Sequence, residues 1–333
     1  MPALLHVVDA FADTPFRGNP AAVCLLDTPA DERWMKDVAR EMNLSETAFL
    51  HPIEGGFSLR WLTPAVEVKL CGHATLASAF TIWHTGSVPP TEAVRFHTKS
   101  GWLACRRDGE WIEMDFPAVV SRTCEPPEGL AEALGCRLVT CGSNDMDYLV
   151  EVPDEPTLRS LAPNHSLLGG LPVRGVIVTA ASGDPRFDFV SRFFAPAAGV
   201  NEDPVTGSAH CALGPYWQAK LGKADFTAFQ ASQRGGVVKL RVQGDRVLLR
   251  GQAVLVSRVE LLACRGLVAA AASATTAAAA KHCGLGADTL SGPRCGEQQP
   301  HIAECRRPWI HDRRGLIGRR LRCRRVDAFD QRH

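Results

Sequence analysis

One stretch of this chain recurs: Arg60-Trp61-Leu62-Thr63-Pro64-Ala65 and Arg192-Phe193-Phe194-Ala195-Pro196-Ala197 stand 132 positions apart. After three extra residues in the second copy, Gly72-His73-Ala74 matches Gly207-Ser208-Ala209 at a separation of 135. Each copy reads as a strand, a proline turn, a tight loop and a glycine-led entry into an alanine-rich helix, predicted over 74–83 and 209–221. Such a duplication demands two similar halves. A helix that opens after glycine leaves its first N–H groups unpaired, and their dipole favours an anion. Two such openings facing one cleft suit a substrate carboxylate. The C–H beside it loses its proton more easily when charge developing on the carboxylate oxygens is stabilised. Taken singly, each is also an ordinary glycine loop before a helix; the matched pair is what points to a site.

The rest of the first 262 residues reads as short strands with few helices. Apolar runs at 4–8 and 22–26 predict strands, with a turn over the Pro/Gly/Asn segment 15–20. Helical spacing of Trp34, Met35, Val38, Ala39 and Met42 predicts a helix over 31–42, capped by Asn43. A strand at 47–51 follows, and Asp108-Gly109 joins strands 102–106 and 111–116 as a hairpin. Further on come strands at 147–152, 175–180 and 187–194, a helix at 155–162, and a last antiparallel group at 237–242, 246–249 and 253–257. The fold class this implies is mixed, largely antiparallel α+β. The expected halves are 1–120 and 121–262, with the last strands free to return to the first half.

Composition breaks after Leu262. Residues 263–333 carry thirteen Lys/Arg against six Asp/Glu, which leaves 24 basic and 30 acidic residues in 1–262. An acidic body argues against nucleic-acid binding by residues 1–262. The basic, Ala/Arg/Cys-rich extension offers at most a short helix near its alanines. It reads as a disordered tail without selected function rather than as a docking arm, a composition that out-of-frame translation of GC-rich DNA also gives. Twelve scattered cysteines without a Cys-x-x-Cys pair favour neither a disulfide framework nor a zinc site. No run is apolar enough to cross a membrane and no secretory leader is legible, so the expected compartment is the cytoplasm.

Proton transfer to carbon needs a base over the C–H. The loops around the repeat offer Glu46, Cys71, His73, Asp203, Ser208 and His210, and spacing alone does not choose among them. Glu46 also reads as a capping residue, Asp203 as a turn residue before Pro204, and Cys71 and His73 as core residues. No Gly-x-Ser-x-Gly elbow, His-Glu-x-x-His, Gly-x-Gly-x-x-Gly or Walker loop is present, which leaves hydrolase, metalloprotease, nicotinamide and nucleotide chemistry unsupported.

Several motifs resemble the phenazine-biosynthesis PhzF-like family. They are Val8-Asp9-Ala10-Phe11 with Gly18-Asn19-Pro20-Ala21-Ala22-Val23, then residues 43–49, 67–77 and 202–210, and more weakly 230–236. The resemblance spans about residues 3–262. It implies the diaminopimelate-epimerase fold: two pseudo-symmetric domains, each a mostly antiparallel sheet wrapped around a central helix. It further implies Glu46, His73 and Asp203 as catalytic residues, Glu46 being the general acid/base. Cys71, Gly72, Gly207, Ser208 and Asn19 would bind the substrate, a small cyclic or amino-acid-like carboxylate. No cofactor and no metal are expected, and a homodimer is expected by analogy. Related racemases use two cysteines. Here Cys71 occupies the first such position and the second, within 203–206, has none, so carboxylate-mediated isomerisation is favoured. Two alternatives stay open: an epimerase pairing Cys71 with a carboxylate, and a non-catalytic binding module on the same fold.

Overall fold

The computed structural model describes residues 3–262, so the expectations for residues 263–333 lie outside the described residues. Seventeen strands join in one mixed sheet system around few helices. The chain runs β1 (Ala3–Ala10), β2 (Asn19–Leu25), α1 (Glu32–Met42), β3 (Glu46–Ile53), β4 (Gly56–Leu62), β5 (Glu67–Val68), α2 (Gly72–His84), β6 (Val94–Thr98), β7 (Gly101–Asp108) and β8 (Trp111–Pro117). It continues through β9 (Arg122–Thr123), α3 (Leu130–Leu134), β10 (Thr140–Ser143), β11 (Asp147–Glu151), α4 (Glu155–Ser160), α5 (His165–Gly169), β12 (Gly175–Ala181) and β13 (Phe189–Phe194). A 3-10 turn (Pro196–Ala198), α6 (Gly207–Leu221), β14 (Asp225–Gln230), β15 (Gly236–Gln243), β16 (Arg246–Gly251) and β17 (Ala253–Leu261) complete it. No helix among the described residues is long and apolar enough to cross a membrane.

Local chemistry explains the best-defined elements. Asp31 caps α1 by accepting from Trp34 N, and Asn43 ends it in the left-handed region at φ 48. Only one face of α1, that of Trp34, Met35, Val38 and Ala39, is buried. In contrast α2 is buried nearly all round, as a helix enclosed by a sheet must be. α6 buries Ala209, Cys211, Ala212, Leu213 and Trp217 in the same core as Ala74, Leu76 and Ile82 of α2. Pro215 within α6 has no N–H for the Cys211 carbonyl, and Val119 N from the segment after β8 takes that place at 3.0 Å.

Two strand pairings tie the end of the chain to its beginning. β17 runs antiparallel to β1 from Leu261↔Ala3 to Ala253↔Ala10, and β16 runs antiparallel to β8 from Arg246↔Pro117 to Gly251↔Ile112. The last strands are therefore not only the local group that their spacing suggests, although β15 and β16 do form a hairpin. A second difference lies at residues 19 and 20. Read as part of a turn, Asn19 and Pro20 instead begin β2, opposite Ala10 and Asp9, so the turn is the 11–18 segment.

Gly251 closes β16 against both the 11–18 turn and α2. A Cβ there would lie 2.4 Å from Phe11 Cδ1 and 2.6 Å from Leu76 Cδ1. Gly251→Ala should cost about 1–3 kcal/mol in urea unfolding through overpacking. An unchanged unfolding midpoint would show that this crossing is not tightly packed.

Candidate active site

The repeat folds into two matching supports. Arg60 in β4 grips Glu67 through Nε and Nη2 at 2.8 and 2.6 Å, and Arg192 in β13 grips Glu202 at 2.7 and 2.9 Å. Each planar fork fastens the loop that leads into a helix. Cys71 and Thr206 then precede α2 and α6 in extended conformation, neither with a side-chain cap on the helix. One turn on, Thr75 Oγ1 donates to the Cys71 carbonyl and His210 Nδ1 donates to the Thr206 carbonyl. The two openings meet: a Cβ built on Gly72 would lie 3.4 Å from Gly207 Cα, and one built on Gly207 would lie 3.4 Å from Gly72 Cα. Two sets of first-turn amides, with their partial positive charge, thus converge on one place.

Around that junction lies a buried polar network. Glu46, first in β3, places Oε2 3.2 Å from His73 Nε2 but without hydrogen-bond alignment, and both atoms are buried without a hydrogen-bond partner. Burial, then the Asp203 charge, pushes the Glu46 carboxyl up to about 8, opposed by contact with the Cys71 thiol. Burial holds the His73 imidazole down at about 3, so it is neutral. Asn19 Nδ2 donates to Asp203 Oδ1 at 2.8 Å and to the Val205 carbonyl at 3.0 Å, and lies 3.1 Å from His73 Nδ1, which also stands 3.5 Å from Cys71 Sγ. Asp203 is raised to about 6 by burial, against the hydrogen bonds from Thr206 and Asn19 and the charge of Arg174. Gln230 completes the frame, donating from Nε2 to the Asp203 carbonyl at 2.7 Å and accepting from Thr206 N at 2.8 Å.

On the α6 side, Arg174 reaches the buried carboxylate of Asp147 with Nε at 2.9 Å and Nη2 at 2.5 Å. Its Nη2 also donates to Ser208 Oγ at 3.1 Å. Because a guanidinium only donates, the Ser208 hydroxyl proton is left to point elsewhere. Burial and the Glu46 charge raise the Cys71 thiol far above its usual range, so it stays protonated.

Glu46, Cys71 and His73 bring their donor atoms within 4.8 Å of one another, and form the one three-donor cluster of this kind among the described residues.

Every site residue expected from the sequence is in this one cluster. Glu46, Cys71, His73, Asn19 and Asp203 form its network, Gly72 and Gly207 its floor, and Ser208 its α6 edge. Sequence reasoning missed Thr206, Gln230, Arg174 and Asp147. Gln230 opens the weak 230–236 motif, while Arg174 and Asp147 carried no signal at all.

The sequence pattern of the phenazine biosynthesis-like protein family matches residues 8–259. An uncharacterized isomerase of Halalkalibacterium halodurans is 55% identical over 259 residues, covering 78% of this chain and 98% of that protein. The crystal structure of a PhzF-family phenazine biosynthesis protein from Enterococcus faecalis matches at 40% identity with a TM-score of 0.75, over 78% of this chain and 99% of that one. A hydroxyproline epimerase from Agrobacterium vitis shares the fold, with a TM-score of 0.52 at 12% identity over 78% of this chain and 92% of that one. The epimerase-type α+β fold expected from the motifs is therefore the fold observed. With that fold, the converging helix openings and relatives named as isomerases, the chain belongs to the phenazine biosynthesis-like (PhzF) family and is an isomerase.

Proposed function

We propose that the chain shifts a proton on a small cyclic or amino-acid-like carboxylate, without a cofactor, with Glu46 as both base and acid. The observation that carries this reading is the Glu46 carboxyl: lifted to about 8, its Oε2 buried without a hydrogen-bond partner, beside two uncapped helix openings. The substrate carboxylate lies against the amides of Gly72 and Gly207 and the Ser208 hydroxyl. Ionised Glu46 takes the proton from the neighbouring carbon, and the electron pair spreads onto the carboxylate oxygens, where the amides receive it. Where a carbon–carbon double bond adjoins that carbon, the pair also spreads along it, the double bond moves one place, and protonated Glu46 returns the proton to its far carbon. His73, neutral with Nε2 3.2 Å from Glu46 Oε2, adds no charge beside the base. Asp203, held by Asn19 and Thr206, lifts the Glu46 carboxyl through its charge.

Epimerisation with Cys71 as a second acid is the other reading, favoured by the thiol's place beside Glu46. Against it, the thiol is held protonated, and Thr206 stands where the matching thiol would be. The test is a screen of carboxylate metabolites in heavy water with the full chain. A rearranged product with deuterium bound to carbon supports isomerisation, a racemised product the second reading, and no exchange into any carboxylate would overturn both.

Two predictions attach to Glu46. Glu46→Gln should fold and bind ligand but exchange deuterium at least a hundredfold more slowly, and in the unaltered protein kcat/KM should rise with pH to a plateau above about 8. The same group shapes stability. A carboxyl whose folded pKa is raised binds more protons folded than unfolded, so stability is full below its ordinary value of 4.5 and falls as pH climbs to about 8. Between pH 7 and 8, above the range where Asp203 and the opposing gain from buried His73 and His210 contribute, the Glu46 share of the loss is about 1 kcal/mol per pH unit. Glu46→Gln should flatten that slope in urea melts; an unaltered slope would mean that Glu46 titrates normally.

A further prediction concerns Arg174, proposed to position Ser208 as a donor. Ser208→Ala and Arg174→Met should each raise KM roughly ten- to hundredfold, the weight of one hydrogen bond to a charged group, with kcat little changed. The double variant should be no worse than the more severe single one; independent, multiplying effects would separate Arg174 from Ser208.

A further inference from the structure

A cavity of about 540 Å³ lies between the 11–17 segment and the 234–236 turn, and none of Glu46, Cys71, His73, Asp203 or Ser208 lines it. Its size falls in the range of small-molecule sites. Four aromatic residues line it, Phe11, Trp111, Phe187 and Phe229, the last two stacked with centroids 5.2 Å apart. Four cations line it, Arg17, Arg186, Arg234 and Lys239, against the single carboxylate of Asp13. Two of the four are engaged, Arg234 with buried Asp9 and Arg186 with Asp184. Arg17 and Lys239 have no carboxylate partner among the described residues; Lys239 Nζ rests 4.0 Å over the Trp111 ring, and Arg17 reaches only the Arg234 carbonyl.

The backbone around this cavity is constrained in ways that a plain surface loop does not require. Phe11 and Phe16 both adopt positive φ, 61 and 69, a strained state for bulky side chains. The strained turn is held from both ends. Phe16 N donates to Asp9 Oδ2 at 2.7 Å, Gly18 N donates to the Gly235 carbonyl at 2.7 Å, and Arg234 Nε donates to the Gly18 carbonyl at 2.7 Å. Opposite it, Gly235 sits at φ +66 with room for no Cβ, since one would lie 2.6 Å from Phe229 Cζ; at Gly236 a Cβ would lie 2.8 Å from the Phe11 carbonyl oxygen. Strain on one wall and obligatory glycines on the other shape a rigid, preformed slot.

We infer that this slot is a second ligand site, separate from the proton-transfer centre, which takes a planar aromatic ring bearing an anionic group. The ring lies among the aromatic walls, and the anion is received by the two cations that lack carboxylate partners.

Naphthalene-2-sulfonate, titrated calorimetrically into the full chain, is the test. The expected result is saturable one-to-one binding, weakened at least tenfold in Lys239→Gln and in Arg17→Gln, and changed less than twofold in Ser208→Ala. The uncharged naphthalene-2-sulfonamide should bind at least tenfold more weakly than the sulfonate. Circular dichroism of both variants guards against misfolding, which substitutions of these two outward-reaching side chains should not cause. The inference is overturned by absence of saturable binding, by binding indifferent to Lys239→Gln and Arg17→Gln, by loss in Ser208→Ala, which would place the probe at the catalytic centre, or by equal affinity for the sulfonamide.

Discussion

Two helix N-termini brought into contact at Gly72 and Gly207 set the terms for everything near them. Each opening carries about half a positive charge, so abutting two of them is unfavourable until negative charge arrives. The protein supplies that charge sparingly. Asp203 is the more acidic of the two buried carboxyls, and its anion is one reason that Glu46 clings to its proton. A substrate carboxylate would complete the balance. In the proposed reaction the same positive field would stabilise the extra charge produced when the carbon beside that carboxylate loses a proton.

Holding that contact requires that the two halves not drift apart, and the sheet provides this. β17 along β1 and β16 along β8 cross from late to early chain, so α2 and α6 share one core rather than two. The Arg60–Glu67 and Arg192–Glu202 forks hold the two entry loops in equivalent poses. Both forks are partly buried, and their two parallel hydrogen bonds fix geometry as well as charge. Even the proline inside α6 contributes, since the carbonyl it leaves open is what receives the segment running out of β8.

Much of this was legible in the sequence because it is periodic or local. The repeat announced the two helix entries, and Asp31 and Asn43 marked the ends of α1. Where local signals misled, long-range pairing or a neighbouring residue explains it. Asn19 and Pro20 have turn chemistry but are drawn into β2 by pairing with β1. The helix expected to reach Ala162 stops at Ser160, ahead of Pro163, which disfavours a helical residue before it. The site was legible only in part. Spacing could not single out Glu46 among the acids near the repeat; family resemblance did so. Arg174 looked like any surface arginine because its partner Asp147 and its target Ser208 are 27 and 34 residues away, and nothing in one sequence records that they meet.

The repeat also shows how one scaffold came to hold two different kinds of chemistry. Positions that build the scaffold are the same in both copies: Arg60 and Arg192, Glu67 and Glu202, Gly72 and Gly207. Positions that face the junction have diverged, Cys71 against Thr206 and His73 against Ser208. Strand register extends the comparison to the proposed base, Glu46. Thr47 pairs with Leu62 and Val176 with Phe194, so Glu46 corresponds to Gly175, the residue next to Arg174. One half therefore places a carboxyl, a thiol and an imidazole where proton exchange needs them. At the equivalent place the other half has no acid, and next to it a guanidinium braced by a buried aspartate and bonded to a serine hydroxyl. A symmetric pair of thiols would treat both faces of a substrate alike; in the proposed reaction this asymmetric junction would have one proton-carrying side and one anion-holding side, a difference that suits moving hydrogen along a molecule better than inverting a centre within it.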